Sequence, residues 1–461
     1  MRIIEFCLFR PSGMMALVLP ALLGLSAVAG AQSLPRVEGP LTMEAAVELA
    51  RQKSLRVKAS DADARMADSM RREALAPFWP QLSANGYVND QRMAPNVYTS
   101  AGNTMARNYQ VFNADRNRDA NLTAMYPLFS GGRDYYGYKA AAARADAARQ
   151  MLRGTEVDVA MQARLDYIAA LRETENVRVT GELLRDVEER LRIGREMFDG
   201  GRIPRYYLLR DETELANVVQ MDAMARSRAD LSVVSLKTTM GVDLASPITL
   251  ADRLEFTPTT LSIGEGIREA SEGHPDLKAA AKQREAARAD VRAAYGNYFP
   301  QVSVGYMYDW GWMKNRAWET QADGFRSRAD TSEGYSVGVV VTLPLFDGFS
   351  RENALKTAKA KLEKALQSEG LVRQQISKEV NQAALMLEAA EKSVEASRKG
   401  LEQADEEFRI VKERFTSGRG IQLEILDAQV SLTRARFNAV AALADYSSAL
   451  AMWLRATGRV R

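Results

Sequence analysis

The chain has 461 residues, 46% hydrophobic and 26% charged, enough to bury a sizeable core in about two or three domains. Its 62 basic and 59 acidic residues leave a net charge of +3 and run along helical faces without clustering, which argues against nucleic acid as the main partner. One cysteine and one histidine exclude the usual thiol, Ser-His and multi-histidine metal chemistry, so no enzymatic activity, metal or cofactor is expected.

Residues 1–31 have the layout of a secretory signal: Arg2 and Arg10, an apolar run from Gly13 to Val28, then Ala29-Gly30-Ala31 before Gln32. The run is short and contains Pro20 and Gly24, which disfavours a membrane anchor. Cleavage would remove Cys7 and leave a mature chain without a thiol. Beyond this segment no run of eighteen apolar residues occurs, so no membrane-spanning helix is predicted.

The mature sequence repeats itself. Leu41-Thr42-Met43-Glu44 returns as Leu261-Ser262-Ile263-Gly264, and Phe78-Trp79-Pro80-Gln81 as Tyr298-Phe299-Pro300-Gln301, both at an offset of 220 (261 less 41, 298 less 78). After the first long loop the offset becomes 217: Tyr126-Pro127-Leu128-Phe129 matches Leu343-Pro344-Leu345-Phe346. The halves are placed at 32–260 and 261–461. In the first, short helices lead to strands near 81–90 and 117–127, a long helix near 131–198, a return helix near 204–240 and a linker at 241–260. The second has strands near 301–312 and 335–344, a long helix near 348–416 and a return helix near 421–456.

The strands are read from period-two alternation. Val302, Val304, Tyr306, Tyr308, Trp310 and Trp312 alternate with Ser303, Gly305, Met307, Asp309 and Gly311, and Val337, Val339, Val341 and Leu343 oppose Ser336, Gly338 and Thr342. The first half is weaker, with Leu82, Ala84, Gly86 and Val88 on one side, and Ala120, Leu122, Ala124 and Tyr126 on one side of the return strand. Alternation alone also suits a half-buried soluble sheet. Two features favour a barrel with lipid outside and water inside: Tyr306, Tyr308, Trp310 and Trp312 mass toward the loop end like an interfacial girdle, and long polar loops lie at that end while the other runs into helices. Four strands cannot close, and open edges are not tolerated in lipid, so the barrel must be shared. Two copies would give a bore filled by side chains, whereas three leave a water-filled lumen.

The helix from Gly348 carries a three-four seam from Leu355 through Ile376, Val380, Leu387, Val394 and Phe408 to Phe415, broken only at Glu369 and Ser397. A stripe so narrow and rich in alanine predicts close helix packing along about 90 Å.

The Tyr126-Pro127-Leu128-Phe129-Ser130-Gly131-Gly132 and Leu343-Pro344-Leu345-Phe346-Asp347-Gly348 junctions, the repeat, and Arg414-Phe415-Thr416-Ser417-Gly418 leading into Leu423-Glu424-Ile425-Leu426-Asp427 together resemble the TolC-like outer-membrane efflux and secretion channels. The resemblance covers essentially the whole mature chain. It implies a mixed α/β membrane protein in the outer membrane of a Gram-negative bacterium: a homotrimer with a shared twelve-stranded barrel in lipid, a periplasmic α-barrel, and an equatorial belt here assigned to 241–260 and the C-terminal tail. It also implies docking to a periplasmic adaptor and, through it, an inner-membrane transporter of the resistance-nodulation-division or ABC type. Gly201, Arg202, Ile203, Gly418, Arg419, Gly420 and Ile421 occupy the turn positions that would meet the adaptor, although glycines there also simply let the chain reverse. Glu424 and Asp427 match acids of an entrance gate ring, and Arg210 stands where Asp427 does in the other half, so an Arg210 to Asp427 contact across the closed entrance is also implied. The acids equally suit the first turns of a helix, where the macrodipole favours them. A soluble periplasmic coiled-coil adaptor or scaffold is the competing reading of the long helices; it would not need lipid-facing strands.

Overall fold

The computed structural model describes residues 35–37, 39–90, 113–259, 262–317, 326–417 and 419–458. The predicted signal segment 1–31, the tip residue Gly418 and the middles of both predicted loops lie outside the described residues. In chain order the elements are β1 (Gly39–Leu41), α1 (Met43–Lys53), α2 (Leu55–Glu73), β2 (Gln81–Asp90), β3 (Asn113–Phe129), α3 (Arg133–Asp199), α4 (Arg205–Met240), β4 (Ile248–Leu250), α5 (Ile263–Gly273), α6 (Pro275–Gly296), β5 (Gln301–Ala317), β6 (Arg326–Thr342), α7 (Ser350–Thr416) and α8 (Gln422–Ala456). Two hairpin-and-helix series thus follow one another, and α3 and α7 each span 67 residues, about 100 Å.

Four strands form one antiparallel sheet in the order β2-β3-β5-β6. The register places Leu82 opposite Ala124, Ala124 opposite Tyr306, and Tyr306 opposite Val337, so the four apolar rows read from the sequence fall on one face. Among the described residues no protein layer covers that face: Leu82, Val88, Val337, Val339 and Val341 are all more than 60% exposed in the single chain. The opposite face is polar and self-paired in part, Asn85 Nδ2 donating to Asn121 Oδ1 at 2.9 Å. The ladders run further than the alternation marks, β5 reaching Ala317 where alternation is legible only to Trp312, and β6 starting at Arg326, not near 335. Cross-strand backbone pairing needs no apolar side chains, so polar residues such as Asn315, opposite Arg328, continue the hairpin past the apolar rows.

Helices continue the order of the strands. Nearest the sheet, α3 packs between α2 and α6, and α6 between α3 and α7; farther away, α3 packs between α4 and α8, and α8 between α3 and α7. Gly131 and Gly132 turn the chain from β3 into α3 with φ of +64° and +82°, and Gly348 does the same before α7 at +67°. Gly296, at the end of α6, lets that helix touch the start of α3, since a Cβ there would lie 2.7 Å from the Arg133 amide nitrogen. Glu369, which interrupts the apolar seam of α7, is 9% exposed and ion-paired with Arg284 of α6 at 2.9 Å. Ser397, the other interruption, returns its hydroxyl to its own helix, donating to the Val394 carbonyl at 3.1 Å.

The linker is tied down at mid-height. Its β4 pairs in parallel with β1, Gly39 opposite Ile248 and Leu41 opposite Leu250, a contact joining residues some 210 positions apart. Beneath the pair, Leu41, Val47, Ala163, Tyr167, Leu236, Met240 and Val242 form a buried cluster that joins β1, α1, α3 and α4. Tyr167 Oη donates to the Leu41 carbonyl at 2.8 Å and accepts from the Asp252 amide at 3.3 Å. Farther along the linker Tyr446 of α8 donates to the Thr257 carbonyl and packs its ring edge-on against Phe256 at 4.8 Å. His274 caps α6, its Nδ1 accepting from the Asp276 amide at 3.3 Å, and is 3% exposed, so it caps from within the protein and not from its surface.

Burial pushes the Tyr167 hydroxyl up to about 12, so the folded chain holds its proton where the unfolded chain, near pH 10, begins to lose it. Stability is therefore expected to fall between pH 10 and about 12. Tyr167→Phe should remove that dependence and cost about 1 kcal/mol at neutral pH through the lost hydrogen bond, read as a lower denaturation midpoint.

Candidate functional site

The end of the molecule farthest from the sheet is made of two helical turns. The first closes α3: Gly201 takes φ of +69°, the Arg202 amide donates to the Met197 carbonyl at 2.8 Å, and Gly200 donates to Glu196 at 3.1 Å. Left-handed glycine after a helix end satisfies carbonyls that otherwise lack partners. Pro204 then starts α4, and Tyr206 and Tyr207 stack at 4.2 Å between ring centres. The second closes α7: the Arg419 and Gly420 amides both donate to the Arg414 carbonyl, at 2.9 and 3.0 Å. A Cβ on Gly420 would meet the Phe415 amide nitrogen at 3.0 Å, so this turn needs its glycine for space. Of the tip residues read from the sequence, Gly201, Arg202, Arg419 and Ile421 are exposed and Ile203 and Gly420 half-buried. The turns meet through Gln422, whose Nε2 donates to the Tyr207 carbonyl at 3.3 Å.

Glu424 and Asp427 both lie in the first two turns of α8 but in different surroundings. Glu424 is half-buried, with its Oε2 3.6 Å from the Arg414 guanidinium, whereas Asp427 is exposed. Arg210 is also exposed, and among the described residues neither it nor Asp427 forms an ion pair. Within one chain the three residues are therefore not a closed network.

A different polar group is closed. Arg190 of α3 and Asp211 of α4 form an ion pair at 3.0 Å with side chains only 6% and 3% exposed, and the same guanidinium donates to Oε1 of Gln429 on α8. Gly194 gives the carboxylate its place, since a Cβ there would approach Asp211 Oδ2 to 3.3 Å. About three turns deeper, Thr180 Oγ1 donates to Asp222 at 3.0 Å, and Asp222 also receives Arg226 at 2.7 Å. Sequence reasoning passed over these groups because a charged residue in a chain this rich in charge carries no mark of burial. The available signal was spacing, Arg190 falling in register with Leu183 and Val187 on the apolar stripe of α3.

The comparisons with known proteins agree with this geometry. The sequence model for outer membrane efflux proteins matches residues 46–242 and 266–459. The chain belongs to that family. It is similar to protein CyaE of Bordetella pertussis, 27% identical over 381 residues covering 79% of this chain and 76% of that one. It is similar also to outer membrane efflux protein BepC of Brucella suis biovar 1, 26% identical over 345 residues, 72% of this chain and 70% of the other. Its fold is that of the Campylobacter jejuni CmeC outer membrane channel, with a TM-score of 0.74 at 16% identity over 91% of this chain and 87% of CmeC. The chain is thus a TolC-like outer-membrane channel protein with a long periplasmic helical portion.

Removing one member of a buried ion pair strands the other without water. Asp211→Ala alone is expected to destabilise the tip by about 3 kcal/mol, whereas replacing both charges, Arg190→Met with Asp211→Leu, should restore most of it. Limited proteolysis of the α3–α4 turn in the purified channel reads both: rapid cutting of the single variant and near wild-type resistance of the double.

Proposed function

We propose that this protein is the exit duct of a tripartite efflux pump or type I secretion system, a homotrimer conducting substrates passively across periplasm and outer membrane. The single observation that carries the reading is the open sheet. With the order β2-β3-β5-β6, the described edges of β2 and β6 have no strand partner within the chain, and the apolar face is bare. Unpaired backbone groups in hydrocarbon cost several kcal/mol each, so neighbouring copies must supply the partners. Three copies of four strands make twelve, wide enough for water. The chain then reads as two copies of one hairpin-and-helix unit, 32–260 and 261–461, with the linker 241–260 in an equatorial belt. Tyr306, Tyr308, Trp310 and Trp312 form the girdle in outer-membrane lipid, supported by Arg118, whose guanidinium lies 5.4 Å from the Trp312 ring centre. The competing soluble scaffold has no use for so much bare apolar sheet.

At the other end the tips form the periplasmic entrance. Gly201, Arg202, Ile203, Gly418, Arg419, Gly420 and Ile421 meet the hairpin of a periplasmic adaptor, which joins the duct to a resistance-nodulation-division or ABC transporter. Glu424 and Asp427 from three copies put six carboxylates around the pore, favouring cations and opposing anions. Exposed Arg210 and exposed Asp427, each without an ion pair among the described residues, are free to meet across subunits.

Two measurements test this. The protein should be recovered from the outer-membrane fraction as a trimer that dissociates on heating, whereas a carbonate-extractable monomer would establish the scaffold. In planar bilayers Glu424→Gln with Asp427→Asn should lower cation selectivity by about half or more, and unchanged selectivity would remove both acids from the gate.

A further inference from the structure

Just below the sheet, α3 and α6 leave a groove of about 660 Å³ whose lining includes Tyr136, Lys139, Asp146, Lys282, Arg288 and Arg292. Its charges are not balanced. Its two carboxylates are already taken, Glu285 by Lys282 at 2.9 Å and Asp146 by Arg149 at 2.9 Å, and Arg284 turns to Glu369 of α7. Lys139, Arg288 and Arg292 form no ion pair among the described residues. Instead Arg292 lies over the Tyr136 ring at 5.4 Å and Lys139 over Tyr135 at 4.8 Å, which holds each cation in place; Lys139 gives one N–H to the Tyr135 hydroxyl and keeps two, and the ring contact uses none of Arg292's in-plane donors.

Position decides what such a groove would meet. Arg292 is four residues from the end of α6 and Arg288 eight, about 6 and 12 Å below that helix end, with residues 297–300 joining it to β5. A headgroup layer extends about 5–8 Å beyond the hydrocarbon, and long cationic side chains reach along a surface to it. The groove also lies in the middle of the chain's own wall: β3 and β5 above it are the inner strands of the sheet, and α3 and α6 are flanked by α2 and α7. Neighbouring copies that extend the sheet at β2 and β6 leave it uncovered. Tyr136 and Arg292 line it together, whereas the Arg144–Asp290 ion pair, also between α3 and α6, lies outside its lining.

We infer that this groove binds the phosphate of an acidic phospholipid of the periplasmic leaflet, with Arg288, Arg292 and Lys139 as its donors. Guanidinium groups match phosphate oxygens two at a time, and the ring beneath Arg292 fixes the plane of its fork. The inference rests on the sheet lying in lipid, so the test reads the two separately.

The whole channel, purified in detergent, is offered phosphatidylglycerol or phosphatidylcholine, and retained lipids are counted by native mass spectrometry. Wild type should retain phosphatidylglycerol selectively, and Arg288→Gln with Arg292→Gln should weaken that retention about tenfold, whereas Lys278→Gln, deeper in the groove, should not. Raising the salt on unmodified protein should give the same loss, which covers a variant that fails to assemble. Equal retention of the two lipids, an unaffected double variant, or equally tight binding of free glycerol phosphate would overturn the proposal. Quenching of tryptophan emission by bromine-tailed phosphatidylcholine vesicles reports separately whether the sheet is in lipid: quenching without a headgroup preference sinks the groove alone.

Discussion

The structure depends on one unmet requirement, the row of backbone N–H and C=O groups along the outer edges of β2 and β6. In water such edges are a hazard that proteins blunt with charge, proline or a covering loop. Here β6 carries charge only in its first half, at Arg326, Arg328, Asp330 and Glu333, while Val337, Val339 and Val341 leave the half nearest the helices exposed and apolar. A sheet like this is stable only where its edges are paired by further strands and its apolar face is met by lipid. Membership in an outer-membrane efflux family supplies the lipid, and the proposed trimer supplies the strands.

The helices inherit that arrangement. Because α6 leads into β5 and β3 leads into α3, the lateral order of the sheet is copied into the wall beneath it, and the long seam of α7 packs on neighbours instead of standing alone. A helix of 67 residues gains its stability from such packing far more than from intrinsic propensity. Where the seam fails, at Glu369, an ion pair to Arg284 replaces the apolar contact, so the break fixes register between α6 and α7. The same device recurs at the far end, where Arg190, Asp211 and Gln429 lock α3, α4 and α8 together inside an otherwise apolar and small-residue interface.

That lock constrains how the entrance can move. Shifting α8 away from α3 would take Gln429 from a buried guanidinium whose other anchor among the described residues is Asp211, and a buried charge losing a partner is costly. Glu424 and Asp427 sit on the same helix as Gln429, in its first and second turns, so these acids and the buried lock travel together. The turns themselves are cheap to rearrange, being held by a few backbone hydrogen bonds to Met197 and Arg414.

Periodicity alone determined the element types: period two marked the strands, the three-four seam marked α7, and the recurring junctions implied that what the first half builds the second builds again. These are local properties, carried by residues such as Val302, Tyr306, Ile376 and Leu387 within a few positions of each other. Only the tertiary structure decided the rest. Alternation cannot say which rows share a face, and the register that sets Leu82, Ala124, Tyr306 and Val337 side by side arises from pairings between strands far apart in the chain. Nor can it locate partners for β1, closed by β4 some 210 residues on, or show that Arg190 among 62 basic residues is buried against Asp211. Burial and pairing depend on what the rest of the chain brings alongside, and no local pattern encodes that.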